Sequence, residues 1–252
     1  MAAAHCNIST ALRRLLHYRR LIGMKQTNSF LVAHRGDRCG GVENTLEGFA
    51  AAAAAGARFA ECDIQFSRDL VPLVIHDNLL KRLCGLDVRV SEMTANELRR
   101  ICRPYFELSS LPDLLLWLRT VPPLTLFIEI KSPVRRRLAD DSIARRITAL
   151  LPDDLLPRVV AIGMSASLMD ACAAIMPCPV GWVAEGVREP QATMPYIFMP
   201  WQRIDAMARW QSRGSKVALY TVNDAATVVA LRAAGADMIE TNYFSGMVSE
   251  IG

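Results

Sequence analysis

Short apolar runs that end in polar or charged residues recur along this chain. Leu31-Val32-Ala33 runs into His34-Arg35-Gly36, Phe59-Ala60 into Glu61-Cys62-Asp63, and Leu73-Val74-Ile75 into His76-Asp77. Much later Leu124–Ile128 runs into Glu129-Ile130-Lys131. Apolar strands belong in a core and charges belong in water. Charges placed repeatedly at the ends of such strands therefore predict strands that converge on one polar site.

The runs alternate with helical patterns from Phe30 onward. Strands are predicted at Phe30–Gly36, Ala60–Phe66, Leu73–His76, Leu124–Ile130, Val159–Met164, Val180–Ala184, Tyr196–Met199, Lys216–Val222 and Asp237–Thr241. Helices are predicted at Asn44–Ala57, Thr94–Ile101, Pro112–Arg119, Asp140–Leu151, Ser167–Ile175, Gln202–Arg213 and from Asn223 or Asp224 through Ala234. Thr94 and Glu97 form a capping-box signature, and Pro112 suits a first helical turn. Strand–helix alternation along a whole chain implies parallel pairing. With polar residues at the C-terminal strand ends, it predicts a TIM (β/α)8 barrel in a single α/β domain. There are nine strand candidates for eight positions, and Tyr196–Met199 is the weakest of them.

Strand geometry gives the polar residues a chemistry. Glu61 and Asp63 lie two apart, so their carboxylates face the same way, roughly 6–7 Å apart along the strand. Cys62 faces the helices instead. Glu129 and Lys131 repeat the arrangement. Three gathered carboxylates repel unless a positive charge sits between them, and a hard divalent ion with oxygen ligands meets that need. The absence of clustered cysteine or histidine points to Mg2+ or Ca2+ rather than Zn2+. His34 and His76 flank the Glu61–Asp63 strand, where two imidazoles can serve as general acid and base near neutral pH. Arg35 and Lys131 add fixed positive charge suited to a phosphate-like substrate. Each residue alone has a plainer reading: a structural histidine, a solvated strand end, or Glu43 and Asn44 merely opening a helix. The combination carries the argument.

Hydrophobic residues make up 52% of the 252 and charged residues 21%, enough apolar content for a substantial core. No apolar run is long enough to span a bilayer as a helix, so the chain reads as soluble. The seven cysteines are odd in number and lack metal-type spacing, as in a reducing, cytoplasmic setting. The net charge of +4 is uneven: residues 1–28 hold five cations and no acid, which leaves the remainder at −1. That distribution argues against nucleic-acid binding. Residues 1–28 read as a flexible basic extension, with weak contact at a membrane surface or organelle targeting as the alternative, or with Met24 as the true start.

The series His34-Arg35-Gly36, Glu43-Asn44-Thr45, Glu61-x-Asp63, His76-Asp77 and Glu129-Ile130-Lys131 resembles the glycerophosphodiester phosphodiesterase family. The similarity runs from about Leu31 to Asn242, strongest through Asp77, and makes residues 29–252 the barrel. The resemblance implies metal-dependent hydrolysis of a small glycerophosphodiester to sn-glycerol 3-phosphate and an alcohol. It assigns His34 and His76 to acid/base catalysis, Glu61, Asp63 and Glu129 to the metal, and Arg35, Lys131, Glu43 and Asn44 to substrate binding. A related barrel phospholipase, of the sphingomyelinase D or phosphoinositide-specific type, is the neighbouring alternative. A non-catalytic phosphodiester-binding barrel is the other. Two departures stand out: Tyr220 replaces the tryptophan frequent before Thr-Val-Asn, and Thr241-Asn242 replaces Thr-Asp. They are expected to alter the pocket and to spare the metal ligands and both histidines. The segment Asn78–Leu111 is too small for a separate cap domain, which predicts an open site.

Overall fold

A computed structural model describes residues 29–121, 123–186 and 188–251. The expectations for residues 1–28 lie outside it. The described strands are β1 (Leu31–His34), β2 (Phe59–Phe66), β3 (Pro72–Val74), β4 (Thr125–Ile130), β5 (Val159–Ile162), β6 (Gly181–Val183), β7 (Tyr196–Pro200), β8 (Lys216–Tyr220) and β9 (Met238–Thr241). They form one sheet in the order β5-β4-β2-β1-β9-β8-β7-β6, with β3 off this path. A bridge between Ala161 and Val180 joins β5 to β6 and closes the circle. The result is the expected eight-stranded parallel barrel.

The ninth strand is not the one the sequence pattern ranked lowest. Tyr196–Pro200 is a full barrel member, parallel to β6 and β8. The extra strand is β3, which runs antiparallel to β2 with Ile64 opposite Val74. Connection length explains this correction. The link from Phe66 to Pro72 is a tight turn, whereas a parallel crossover takes a dozen or more residues.

The helices are α1 (Leu46–Ala54), α2 (Lys81–Cys84), α3 (Ala95–Cys102), α4 (Leu111–Leu118), α5 (Asp140–Thr148), α6 (Ala166–Ile175), α7 (Met207–Gln211), α8 (Ala225–Ala233) and α9 (Phe244–Ile251). Side-chain caps fix several starts. Thr94 and Glu97 form the expected box at α3, Ser110 and Asp113 form a second at α4, and Asp224 caps α8. Helix α1 begins later than the pattern predicted, at a Thr45 cap. Asn44 cannot open it, because Asn44 is left-handed at φ +58°. The last helix, α9, was not predicted, although Phe244, Met247 and Ile251 mark its buried face.

The apolar core has two layers. One lies between the strands and the helices, and Cys62 belongs to it. The other fills the barrel axis with Val32, Phe127, Val160, Ile162, Val183, Phe198, Ala218 and Met238. Residues 78–108 pack a small cluster of their own around Leu80, Cys84, Leu98 and Phe106, joined to the barrel through Leu73 and Ile75. No helix among the described residues is long and apolar enough to cross a membrane.

Phe127 is the floor on which the polar mouth rests. It is fully buried, packs edge-on against Phe198 at 4.9 Å and Tyr196 at 5.2 Å, and lies two residues before Glu129 on the same face of β4. Phe127→Ala is expected to lower stability by about 3–5 kcal/mol, read as a fall in the chemical-denaturation midpoint. A change below about 1 kcal/mol would contradict the packing described.

Candidate active site

Strand register assembles the site. In the β1–β2 pair His34 sits beside Glu61, and in the β2–β4 pair Asp63 sits beside Glu129. Neighbouring strands lie about 4.8 Å apart, so these pairings force the carboxylates together. Oxygen atoms of Glu61, Asp63 and Glu129 all lie within 4.8 Å of one another. The β3 turn adds His76: Ile75 N–H donates to the Asp63 carbonyl at 3.0 Å, and the next residue arrives at the mouth. A cleft of about 220 Å3 opens there, lined by His34, Arg35, Glu61, His76, Glu129 and Lys131 on one side. A larger groove of about 810 Å3 lies on the outer wall near Leu46 and Trp117 and contains none of these residues.

The backbone at the mouth is special. Arg35 adopts φ +60°, a strained conformation for a side chain of its kind. It turns the chain so that its amide donates to Glu61 Oε2 at 3.1 Å while its guanidinium reaches Asp63 at 2.9 Å and Glu43 at 3.0 Å. Gly36 follows at φ +84°, where a Cβ would stand 2.8 Å from the Gly48 backbone.

Each histidine has a fixed partner. His34 Nδ1 is 2.9 Å from Asn242 Oδ1, an oxygen that also accepts from Arg38 at 3.1 Å. An amide oxygen only accepts, so His34 carries its proton on Nδ1 and presents a bare Nε2, 3.9 Å from Glu61. Burial, then Arg35, pull His34 down to about 4. His76 Nδ1 is 2.6 Å from Asp77 Oδ1. Burial also lowers His76, with Asp63 and the Asp77 hydrogen bond opposing. Asn242 thus corrects one expectation: the departure from Thr-Asp does reach a histidine.

Glu43 and Asn44 lie one layer behind the cleft, 3% and 2% exposed. Asn44 donates to Asp63 Oδ2 at 2.9 Å and accepts from the Asp63 amide at 3.1 Å. Glu43 is gripped by Arg35, Arg38 and Arg82. Arg82 was not singled out from the sequence. On the short α2 helix it donates to Asp77 at 2.6 Å and to both oxygens of Glu43, linking the His76 support to the Arg35 support. Glu240 was passed over as well. It is 3% exposed, lines the cleft, and leaves Oε1 without a hydrogen bond. A charged residue inside the apolar run Met238-Ile239-Glu240-Thr241 was the available signal.

Two opposite effects balance this cluster. Lys131 Nζ lies 2.8 Å from Asp63 and 2.9 Å from Glu129, and with Arg35 it holds Asp63 far below the usual carboxylate range despite burial. Glu61 has no such cation of its own. Burial first, then Asp63 and Glu240, push it well up, and its Oε1 is also unpartnered. The donor set, hard, anionic and partly unpaired, fits a divalent cation.

The fold and the polar strand ends define a TIM barrel with an active-site mouth. Residues 34–153, a little under half of the chain, match the Glycerophosphoryl diester phosphodiesterase family. Glycerophosphodiester phosphodiesterase 1 of Rattus norvegicus is 37% identical over 70 residues, which are 28% of this chain and 21% of the rat protein. The chain thus aligns with about a fifth of that relative's length. An Oleispira antarctica phosphodiesterase, solved with sn-glycerol-3-phosphate, superposes with a TM-score of 0.76 at 20% identity, over 88% of this chain and 96% of that one. A glycerophosphodiester phosphodiesterase from Thermotoga maritima gives 0.69 at 21% identity, over 88% and 97%. At these identities the structures establish the barrel fold alone.

Glu240 yields a pH prediction. Burial, then Glu129 and Asp63, raise it to about 8. A carboxyl that is harder to ionise folded than unfolded weakens the fold as pH rises from its unfolded to its folded value. Without divalent ions, the Glu240 contribution to stability should fall from pH 5 to pH 8, against the opposite trend of the two lowered histidines, and Glu240→Gln should remove it. At pH 8 the variant should gain ~2 kcal/mol, several degrees in Tm, and at pH 5 little. An equal effect at both pH values would contradict this account.

Proposed function

We propose that this chain hydrolyses glycerophosphodiesters to sn-glycerol 3-phosphate and an alcohol, with His34 and His76 as the acid/base pair. The observation that carries the reading is the placement of two imidazoles, a three-carboxylate cluster and two fixed cations around one cleft. Glu61, Asp63 and Glu129 would hold Mg2+ or Ca2+, which when bound supplies positive charge that polarises a phosphodiester oxygen. Arg35 and Lys131 supply further positive charge for an anionic phosphate and orient it. Glu43 and Asn44 act as positioning residues: Glu43 holds the Arg35 guanidinium, and Asn44 fixes the Asp63 carboxylate.

The histidines divide the proton work by their partners. His34 leans on a neutral amide and exposes a lone pair at Nε2, which suits removal of a proton from the nucleophile, a water or the neighbouring glycerol hydroxyl. His76 leans on Asp77, whose negative charge supports the imidazolium form and thus delivery of a proton to the leaving oxygen. Arg82 positions Asp77 and acts on the reaction only through His76. The six described cysteines are all unpaired, which supports action in a reducing compartment such as the cytoplasm.

The test is release of glycerol 3-phosphate from glycerophosphocholine and glycerophosphoethanolamine, after EDTA treatment and again with Mg2+ or Ca2+ restored. Release should require an ion, and His34→Ala and His76→Ala should each lower kcat by about 10²- to 10⁴-fold. No release with either ion from folded protein would refute the reading. Arg82→Met should cut kcat several-fold and shift the limb of the pH–rate profile that belongs to His76, with Arg82→Lys recovering part of the rate. A lowered rate with an unmoved profile would reduce Arg82 to a structural residue.

A further inference from the structure

The mouth has a second half that the proposed chemistry leaves unused. Residues from β1, β2, the turn after β3, and β4 supply both histidines and both fixed cations. The half formed by β5 to β9 presents Met164, Glu185, Phe198, Tyr220 and Glu240 to the same cleft and, among its described lining residues, no cation at all. Its two carboxylates are also unlike the others. Asp63 and Glu129 have Lys131, and Glu43 has three arginines. Glu185 accepts one hydrogen bond, from the Tyr220 hydroxyl at 2.7 Å, and has no basic partner among the described residues. Glu240 is 3% exposed and its Oε1 has no partner, although it lines the cleft. An unpaired buried carboxylate is unfavourable unless a ligand completes it.

Tyr220 is hydrogen-bonded to the outer of the two acids, Glu185. Burial, the hydrogen bond to Glu185 and the charges of Glu185 and Glu240 all hold its phenol proton. The wall is thus an acidic and aromatic surface facing a cationic one across about 220 Å3. A phosphodiester seated against Arg35 and Lys131 has two organic groups, and in a cleft this small one of them faces that wall. A neutral or anionic group would leave the acids unmatched or repelled. An alkylammonium group would be attracted by Glu185 and by the face of Tyr220.

We infer that this chain selects glycerophosphodiesters whose alcohol carries an ammonium group, with Glu185 and Tyr220 as specificity-determining residues. The inference rests on the phosphodiesterase reading above and adds the class of leaving group. The Tyr220 hydroxyl donates to Glu185 at 2.7 Å and so fixes the carboxylate at the rim of the cleft. Glu185 is exposed, so its replacement is not expected to disturb folding.

The experiment compares kcat/KM for glycerophosphocholine, glycerophosphoethanolamine and glycerophosphoglycerol at low ionic strength, in the full chain with the activating ion. The two ammonium-bearing diesters should be preferred over the glycerol diester by about tenfold, mainly through KM, since an ion pair plus a cation–π contact contributes on that scale. In Glu185→Gln the ratio of choline to glycerol diester should fall about five- to tenfold. Salt at 0.3 M should reduce the preference of the parent more than that of the variant, because Debye screening weakens exposed charge pairs. Equal efficiencies for all three diesters, or a ratio unchanged by Glu185→Gln, would overturn the inference while leaving the phosphodiesterase reading intact. Hydrolysis of none of the three would remove both.

Discussion

Carboxylates brought together in a low-dielectric barrel repel one another, and the polar mouth of this protein is organised by that repulsion. Parallel register sets Asp63 beside Glu129 and Glu61 one pleat away. Nothing in the strands can relieve the contact, because register is fixed by the apolar residues on the opposite face. Relief comes from cations that the turns supply. Lys131 bridges Asp63 and Glu129, while Arg35, bent into a left-handed conformation, reaches Asp63 from the other side. Glu61 remains incompletely matched, with its Oε1 unpartnered, and that is where a divalent ion would gain most.

A ring of supports holds this arrangement in place. Glu43 locks Arg35, Asn44 locks Asp63, Asn242 locks His34, and the Arg82–Asp77 pair locks His76. These supports come from three separate loops and helix α2, yet they meet in one network. The energy stored in the Arg35 turn is sustained by buried ion pairs that would be costly to leave half-made. The site is therefore preorganised by groups that do not line the cleft, and loss of Asn44 or Arg82 should be felt at atoms they do not touch.

Much of this was legible in the sequence because a strand's period of two converts spacing into direction. Glu61-x-Asp63 and Glu129-x-Lys131 could be placed on the inward face of their strands without coordinates. The count of nine strands for eight positions held, but the surplus one was misidentified for a related reason: period and composition identify Leu73–Val74 as extended but say nothing about its direction. Only the short connection after Phe66 held that information. Arg82 was invisible because its partners are 5 and 39 residues away and an arginine on a surface helix reads as solvated. Asn242 read as a change of pocket shape, since the contact to His34 spans 208 residues and local pattern cannot express it.

The account stands or falls on the carboxylate cluster as a cation site. Calorimetric titration of Mg2+ and of Ca2+ into metal-free protein, beside Glu61→Gln and Asp63→Asn, measures it without reliance on turnover. One ion per chain, with affinity lowered at least tenfold in either variant, is the predicted result. Absence of binding by folded protein, or binding that both variants retain unchanged, would contradict it.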